Sequence, residues 1–167
     1  MGEPDWVPVQ VVGVRVVGEE TVVLLLDGVD GLVVPISVGR AEAAAIATAQ
    51  AGVVPPRPMT HDLLRDVLEA IGVRLERVEI ARLEHGVFHA ELVLQDDLRV
   101  DSRASDAVAL ALRCDAQVWC AASVLAQAGV QVQVKASEED VAQFREFLDH
   151  VSADDFDMPP AEGEDHS

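Results

Sequence analysis

Residues 6–38 have the sequence WVPVQVVGVRVVGEETVVLLLDGVDGLVVPISV, which is dominated by Val, Leu and Ile. Two polar breaks interrupt it, at Gly18–Glu20 and at Asp27–Gly31. Because β-branched residues favour strands and clusters of Gly and acids favour turns, this pattern predicts three strands joined by tight turns. The apolar phase of the first strand switches at Val12, which predicts a β-bulge or a strand that leaves one sheet for another.

The residues that follow alternate between helical and strand patterns. Residues 40–51 are rich in Ala and end before Gly52, which predicts a helix, and the Pro-rich residues 53–58 predict an ordered loop. The later predicted elements are a helix capped by Thr60 and ended by Gly72, a hairpin of strands 73–83 and 87–94, a strand at 98–101, a helix capped by Ser102 and ending near Arg113, a strand at 117–120, a helix from Ser123 to Gly129, a strand at 130–134 and an amphipathic helix from Ser137 through Val151.

This order of elements predicts an α+β fold in which mixed or antiparallel sheets of bulged strands pack against several helices. We expect a single domain at residues 1–152, because the chain is long enough for one core and too short for two comfortable ones. Residues 153–167 contain many acids, two prolines and little apolar content. They therefore predict an acidic, disordered tail.

The overall charge restricts the possible functions. The 167 residues contain 30 Asp and Glu against 12 Lys and Arg, a formal net charge of −18. Such a chain repels polyanions, so nucleic-acid chemistry would require a local Arg cluster, a divalent metal or both. The apolar runs are much shorter than the roughly 20 residues of a membrane span, and the first residues lack a signal-peptide pattern. We therefore expect a cytoplasmic protein with no membrane association, whose two cysteines are ordinary buried thiols.

Polar residues that periodicity does not explain occur at the predicted starts of three helices. The three segments are 36–43 (ISVGRAEA), 57–63 (RPMTHDL) and 100–107 (VDSRASDA). Free backbone N–H groups and the positive end of the helix dipole make each a candidate anion site. Arg57 and Arg103 have the planar guanidinium that grips a phosphate bidentately. If the fold brings the segments together, phosphate and metal ligands would share one cleft.

Each of these features also has a structural explanation. Thr60 and Ser102 are accounted for as helix caps, and Glu42 and Asp62 lie in first turns, where acids stabilise the helix dipole. The Arg and Asp of the third segment stand at i and i+3 and can simply pair with each other. The sequence contains no dinucleotide-binding, P-loop, zinc-protease or hydrolase-elbow motif.

The strings VGRAEA (38–43), RPMTHDL (57–63) and DSRASDAVAL (101–110) resemble the signature segments of the bifunctional nuclease domain family. The similarity covers roughly residues 7–129, in the family's order and spacing. Members are known or suspected to cleave both RNA and DNA, so the resemblance implies an α+β fold, a nucleic-acid partner and a homo-oligomer. One departure is Ala104, which stands where the family usually has Pro at the start of a helix.

The first hypothesis for function is a metal-assisted nuclease that hydrolyses phosphodiester bonds of RNA, DNA or both. Carboxylate oxygens are the ligands that Mg²⁺ and Mn²⁺ prefer, and such a metal would activate water and neutralise charge on the phosphate. The predicted residues are His61, Asp62, Asp101 and Asp106 as the catalytic group, Arg57, Thr60, Ser102 and Arg103 as the phosphate-binding group, and Asp101, Asp106 and Glu42 as the ligands of Mg²⁺ or Mn²⁺.

Two alternatives remain open. The same cluster can serve a non-catalytic binding or regulatory module that holds a small anionic ligand or a protein partner. The charge of −18 and the scarcity of aromatic residues for base stacking favour that module. In the other alternative, the shared motifs are architectural and build a core and a self-association surface.

Overall fold

The computed structural model describes residues 2–132 and, beyond them, Glu146. Residues 2–132 fall in one compact unit. Several predicted features lie outside the described residues: the end of the domain at residue 152, the helix from Ser137, the tail 153–167 and the last two residues of the strand at 130–134.

Eight strands and four helices form the described part of the chain, in the predicted order. Their bounds are β1 Trp6–Val17, β2 Glu20–Asp27, β3 Leu32–Ser37, α1 Arg40–Gln50, α2 Thr60–Ala70, β4 Leu75–Glu84, β5 Val87–Leu94, β6 Arg99–Arg103, α3 Ala104–Cys114, β7 Gln117–Ala121, α4 Ala122–Ala128 and β8 Val130–Gln131.

The eight strands belong to one sheet, in the order β6-β5-β4-β7-β1-β2-β3-β8. Neighbouring strands run antiparallel except β4 and β7, which are parallel. A parallel pair needs a crossover connection, and here the crossover contains β5, β6 and α3. The sheet is therefore mixed, which confirms the predicted α+β class. The crossover also brings the start of α3 back over the sheet toward α1.

The irregularity predicted in the first strand is a β-bulge. The register between β1 and β2 shifts between Val11 and Gly13, which leaves Val12 as the extra residue. Because of this extra residue, Val11 and Val14 both pack against the same core although they differ in parity. The bulge prediction is confirmed, and β1 remains in a single sheet.

The core lies between one face of the sheet and the helices. Successive side chains of a strand point to opposite faces of the sheet, so every second side chain of the central strands points into the core. The fully buried apolar side chains of the core include Val23, Leu25, Val34, Ile46, Val78, Ile80, Val108, Leu110, Cys120 and Val124.

Across residues 2–132, no helix combines the length and the apolar character that a bilayer span requires.

Two helices begin at residues other than the predicted caps. The N-cap of α2 is Met59, and Thr60 is already helical. The N-cap of α3 is Arg103, because Ser102 still belongs to β6 and its hydroxyl donates to the carbonyl oxygen of Arg103 at 2.9 Å. The orphan N–H of Met59 donates to Asp62 Oδ2 at 3.0 Å, so a carboxylate does the capping in α2. The predicted capping roles of Thr60 and Ser102 are therefore wrong.

The strand face remote from the core contains one buried charge that the sequence pattern does not indicate. Glu79 of β4 is fully buried. Its two carboxylate oxygens accept hydrogen bonds from Arg77 Nε and Arg99 Nη1, each at 2.7 Å. A buried carboxylate needs such partners, because removal from water without them costs several kcal/mol. This network links β4 to the edge strand β6.

Ala104 offers a direct test of how α3 begins. It is the first residue of α3, and Arg103 before it has φ −66° and ψ 143°. This is the extended geometry that Pro imposes on its predecessor, and Pro suits the first helical position. We expect Ala104→Pro to raise the free energy of unfolding by about 0.5–1 kcal/mol, because it restricts the unfolded chain. Urea denaturation measures the change.

Ala107→Pro is the matched control, since it places the same ring inside α3 and should cost about 3 kcal/mol or more. A fall in stability for Ala104→Pro would show that α3 does not tolerate the family's usual residue.

Candidate functional site

A cavity of about 400 Å³ lies where the first turns of α1, α2 and α3 meet. Glu42 comes from α1, Thr60 and His61 from α2, and Asp106 from α3, while Arg103 is the residue at which β6 turns into α3. Ala41, Ala44, Ala45, Thr48, Met59 and Arg113 complete the lining. Each of the three predicted segments thus contributes at least one charged or titratable side chain to one hollow. The predicted convergence occurs.

A continuous chain of polar contacts crosses the cavity. His61 Nε2 lies 2.9 Å from Asp106 Oδ1, and Arg103 Nε donates to Asp106 Oδ2 at 2.7 Å. Arg103 Nη2 donates in turn to Glu42 Oε1 at 3.0 Å. Both oxygens of Asp106 are therefore engaged, one by the imidazole and one by the guanidinium. Four side chains from three helix starts form one network, named here the polar cluster.

The side chains of the polar cluster differ in their exposure to solvent. The side chains of His61 and Glu42 are 13% and 19% exposed, whereas that of Arg103 is 67% exposed. Arg103 thus forms the rim of the cavity and His61 its floor. A ligand that enters from solvent would meet the guanidinium first.

The electrostatics keep both carboxylates ionised. Burial alone would raise the pKa of Asp106, but hydrogen bonds from Arg103 and His61 outweigh it, and the pKa lies below its usual value. The pKa of Glu42 is lowered by a backbone N–H of its own residue and by the side chain of Arg103. The same contacts raise the pKa of Arg103. At neutral pH the cluster therefore holds two carboxylates and one guanidinium.

Glycine at position 39 leaves the space that Glu42 occupies. A Cβ atom built on Gly39 would collide with the Glu42 carboxylate, which folds back over the first turn of α1. The Glu42 side chain thereby satisfies an N–H group that the helix leaves unpaired. The local string Gly-Arg-Ala-Glu is accordingly the arrangement that fixes this carboxylate at the cavity.

Beneath the cavity, Arg113 joins the three helices. Its Nε donates to Asp62 Oδ1 of α2 at 2.7 Å, and its Nη2 donates to the carbonyl oxygen of Ala45 in α1 at 3.0 Å. Its Nη1 donates within α3, to the carbonyl oxygen of Ala109 at 2.8 Å. The Arg113 and Asp62 side chains are only 5% and 12% exposed. This buried clamp ties α1, α2 and α3 to one another.

Of the other predicted site residues, Thr60 lines the cavity and four do not. Asp101 is exposed on β6, opposite Glu91 of β5, and does not line the cavity. Arg57 is exposed in the loop before α2 and makes no hydrogen bond or ion pair with the residues that the structure describes. Ser102 points its hydroxyl at backbone, and Asp62 is engaged by the clamp rather than by the cavity. Thr60 lines the cavity but does not cap α2.

The predicted metal ligands do not form a ready-made site. Within residues 2–132 there is no group of three or more His, Cys, Asp or Glu side chains placed to hold a metal ion. Asp106 and Glu42 both bind Arg103, so a cation between them would have to displace the guanidinium. As placed, the residues do not fit the proposed ion, and the metal site of Asp101, Asp106 and Glu42 remains a prediction.

Arg113 is the functional residue that sequence reasoning missed. It was expected only to mark the end of a helix, and a basic residue in a last turn has an ordinary explanation in the helix dipole. The sequence does contain a signal for a buried charge at this position. Arg113 follows seven small or apolar residues, 104 and 107–112, and the helix that they form is buried almost all round. A charge on such a helix must find a buried partner.

An α+β domain whose helix starts gather a His, two carboxylates and an Arg around one cavity defines a candidate acid–base site on a mixed sheet. The family model for the bifunctional nuclease domain matches residues 23–133. The chain belongs to this family, which confirms the resemblance found in the sequence.

The chain is similar to known proteins to different degrees. Uncharacterized protein Rv1829 of Mycobacterium tuberculosis strain H37Rv is 44% identical over 158 residues, which cover 89% of this chain and 96% of the relative. Uncharacterized protein MT1877 of strain CDC 1551 / Oshkosh gives the same values. Bifunctional nuclease 2 of Arabidopsis thaliana is 28% identical over 99 residues, which cover 56% of this chain and 30% of the relative.

Removal of the Arg113 clamp should destabilise the fold strongly. Arg113→Met leaves the Asp62 carboxylate buried without its partner, so we expect a loss of about 3–5 kcal/mol in the free energy of unfolding. In the double variant Arg113→Met with Asp62→Leu no charge stays buried, and the loss should be clearly smaller than the sum of the two single losses.

Arg65→Met is the control, because Arg65 pairs with Asp66 on a half-exposed surface and should cost less than about 1 kcal/mol. Urea denaturation of all four variants provides the comparison. Equal losses for Arg113→Met and Arg65→Met would contradict a clamp.

The clamp also makes a pH prediction. The pKa of Asp62 is lowered from 3.8: burial raises it, but the hydrogen bonds from Arg113 and the Met59 N–H outweigh burial. A carboxyl with a depressed folded-state pKa adds stability that is present above its unfolded pKa and is lost as the pH falls through the folded pKa. We therefore expect the stability difference between wild type and Asp62→Asn to be full at pH 6 and to shrink below pH about 4.

Thermal unfolding of both proteins between pH 2.5 and 7 measures that difference. A difference that stays constant over the whole range would show that the stabilising effect of Asp62 does not depend on its ionisation.

Proposed function

We propose that this protein is a nuclease that hydrolyses phosphodiester bonds of RNA, DNA or both at the polar cluster. The observation that carries the proposal is the contact chain from His61 through Asp106 and Arg103 to Glu42, assembled from residues 45 and 61 positions apart. Membership of the bifunctional nuclease domain family and the similarity to Bifunctional nuclease 2 of Arabidopsis thaliana support it.

His61 is suited to proton transfer. Asp106 Oδ1 accepts a hydrogen bond from Nε2–H of the imidazole. This contact fixes the orientation of the ring and leaves Nδ1 to exchange a proton with a substrate. A carboxylate behind a histidine also stabilises the imidazolium form. We assign His61 as the general acid that protonates the leaving 5′ oxygen, with Asp106 as the residue that positions it.

Glu42 is suited to the opposite role. Its pKa is lowered, so the carboxylate is ionised at neutral pH and can accept a proton but has none to donate. In hydrolysis it takes a proton from the attacking water as the new P–O bond forms; in RNA the 2′-hydroxyl can be the attacking group. His61 gives its proton to the oxygen whose bond to phosphorus breaks, so the protons balance.

Arg103 is suited to hold the phosphate. It uses Nε and Nη2 on the two carboxylates, and among the described residues Nη1 makes no hydrogen bond. Its N–H groups can therefore donate to non-bridging phosphate oxygens at the cavity rim. Arg57, which is exposed in the neighbouring loop, offers a further phosphate contact on an extended substrate.

The local charge explains how an acidic chain can accept this ligand. With His61 neutral, Glu42, Asp106 and Arg103 sum to −1, and protonation of His61 brings the cluster to 0. The chain as a whole carries −18. A phosphate at the cavity rim therefore meets the Arg103 guanidinium and a cluster whose net charge is only −1 or 0.

A non-catalytic binding module is the second candidate. The described lining of the cavity includes no Phe, Tyr or Trp side chain on which a base could stack. A volume of about 400 Å³ lies within the range of small-molecule sites. These two observations favour a small anionic ligand over a long nucleic acid.

Cleavage assays on labelled RNA and single-stranded DNA test the proposal. We expect His61→Ala and Glu42→Gln each to lower the rate by about 10²–10⁴, the usual contribution of general acid–base catalysis. Arg103→Met should lower it similarly. The matched controls are His89→Ala, a histidine on β5 outside the cavity, and Arg74→Met, an arginine exposed next to Glu76.

Three further arms separate the alternatives. Loss of activity in EDTA, restoration by Mn²⁺ and sensitivity to Asp101→Asn would together support the metal-assisted version. No turnover, combined with a rise in the melting temperature on addition of nucleotides or inorganic phosphate, would support the binding module. Activity that survives His61→Ala and Glu42→Gln unchanged would refute the site.

A further inference from the structure

A second cavity, of about 250 Å³, lies at the start of α3 and is named here the α3 hollow. Residues 35–37 at the end of β3, residues 86–88 at the turn between β4 and β5, and Ala104 and Ser105 of α3 line it. Arg103 and Asp106, in contrast, line the cavity of the polar cluster. The first turn of α3 therefore borders two cavities.

Ser105 is a buried polar residue whose hydroxyl has no partner among residues 2–132. The residue is only 8% exposed, and its Oγ makes no hydrogen bond with the described residues. No fully enclosed polar side-chain atom in this part of the chain lacks a partner, so Ser105 Oγ keeps some accessible surface, and the α3 hollow provides it. A nearly buried hydroxyl without a partner is unfavourable. It indicates that the α3 hollow is built for a polar ligand.

The helix start adds backbone donors to this hydroxyl. Arg103, the N-cap of α3, makes no side-chain capping bond, because its guanidinium is bound to Asp106 and Glu42. The first N–H groups of a helix have no acceptor in a preceding turn, and they lie at the positive end of the helix dipole. The N–H groups of the first turn and the Ser105 hydroxyl thus form one set of donors, of the kind that binds phosphate.

The remaining lining of the α3 hollow is compatible with an anion. Although the chain contains 30 Asp and Glu, none of them belongs to the described lining. Glu20 reaches the edge through Ser37, whose hydroxyl donates to Glu20 Oε2 at 3.2 Å. Phe88 is half-buried and lines the hollow, so an aromatic side chain is available to the sugar or base attached to a bound phosphate.

The size and position of the α3 hollow suit one part of an extended ligand. Its volume of about 250 Å³ is smaller than the roughly 300–1,000 Å³ of sites that hold a whole small molecule. An α-helix with its side chains is about 10–12 Å wide, so the two cavities are about one helix width apart. At about 3.4 Å of rise per nucleotide, roughly three nucleotides of one strand span that distance.

We propose that the α3 hollow binds a second phosphate of the nucleic-acid strand whose scissile phosphate lies at the polar cluster. The identity of this ligand rests on the proposed nuclease function. The Ser105 hydroxyl and the first N–H groups of α3 donate to the non-bridging oxygens of the second phosphate, and Phe88 contacts the attached sugar or base. Ser105 is therefore a binding residue and takes no part in proton transfer.

Kinetics on substrates of different length test the proposal. We expect Ser105→Ala to raise KM about tenfold for a single strand of about six nucleotides and to leave kcat unchanged, because one hydrogen bond to a charged group is lost equally from the ground and transition states. A dinucleoside monophosphate has only one phosphate, so its kcat/KM should not change. Ser123→Ala is the matched control, since Ser123 is also the second residue of a helix but is exposed.

A titration with inorganic phosphate tests the α3 hollow without any turnover. In ¹H–¹⁵N NMR spectra, tens of millimolar phosphate should shift the amide of residue 105 and leave the amide of Ser123 in place. Ser105→Ala should weaken this binding about tenfold. Glu20→Gln should strengthen it, because the exposed Glu20 opposes an anion at the edge of the hollow. Thermal unfolding verifies that the variants are folded.

The two experiments can fail separately. Phosphate binding at residue 105 with no cleavage of any substrate would overturn the nuclease function and leave the anion site in place. Cleavage in which Ser105→Ala has no effect, or an equal effect on both substrate lengths, would overturn the second phosphate site and leave the nuclease function in place. An amide of residue 105 that phosphate does not shift, or equal effects of Ser105→Ala and Ser123→Ala, would also overturn it.

Discussion

The buried guanidinium of Arg113 is the constraint on which the architecture of the cavity depends. A charge that is 5% exposed is tolerable only when it is well hydrogen bonded, and each of the three guanidinium nitrogens of Arg113 donates to an acceptor: one carboxylate and two carbonyl oxygens. Its three acceptors lie on three helices. The requirement to satisfy one buried charge thus fixes the relative positions of α1, α2 and α3.

Rigid helix starts matter because the polar cluster above them is held by few contacts. Three hydrogen bonds between 2.7 and 3.0 Å join His61 to Asp106, Asp106 to Arg103, and Arg103 to Glu42. Such bonds weaken steeply with distance and angle, so a shift of about 1 Å in one helix would break the chain. Positioning of catalytic groups on helices rather than loops limits such shifts. The Arg113 clamp therefore holds the helices in place, and the polar cluster above it carries the proposed chemistry.

Local patterns predicted most of the elements and little of their assembly. Period-two alternation located the strands, and the phase switch at Val12 located the bulge, because both depend only on neighbouring residues. The caps at Thr60 and Ser102 were wrong for a non-local reason. Pairing of Arg103 with His89 extends β6 past Ser102, and the buried Asp62 replaces the hydroxyl in α2. Convergence of His61 with Asp106, 45 residues apart, was only a condition attached to the polar residues at three predicted helix starts, because periodicity carries no information on such contacts.

Helix α2 shows how a single element can serve both the cavity and the clamp. Its N-terminal turn supplies His61 to the cavity and its buried side supplies Asp62 to the clamp, while its outer side leaves apolar side chains such as Leu63 and Val67 exposed. A helix that packed its apolar face into its own core would need a different rotation, and that rotation would withdraw Asp62 from Arg113 and His61 from Asp106. Exposure of these apolar side chains is then the physical cost of placing His61 and Asp62 inward.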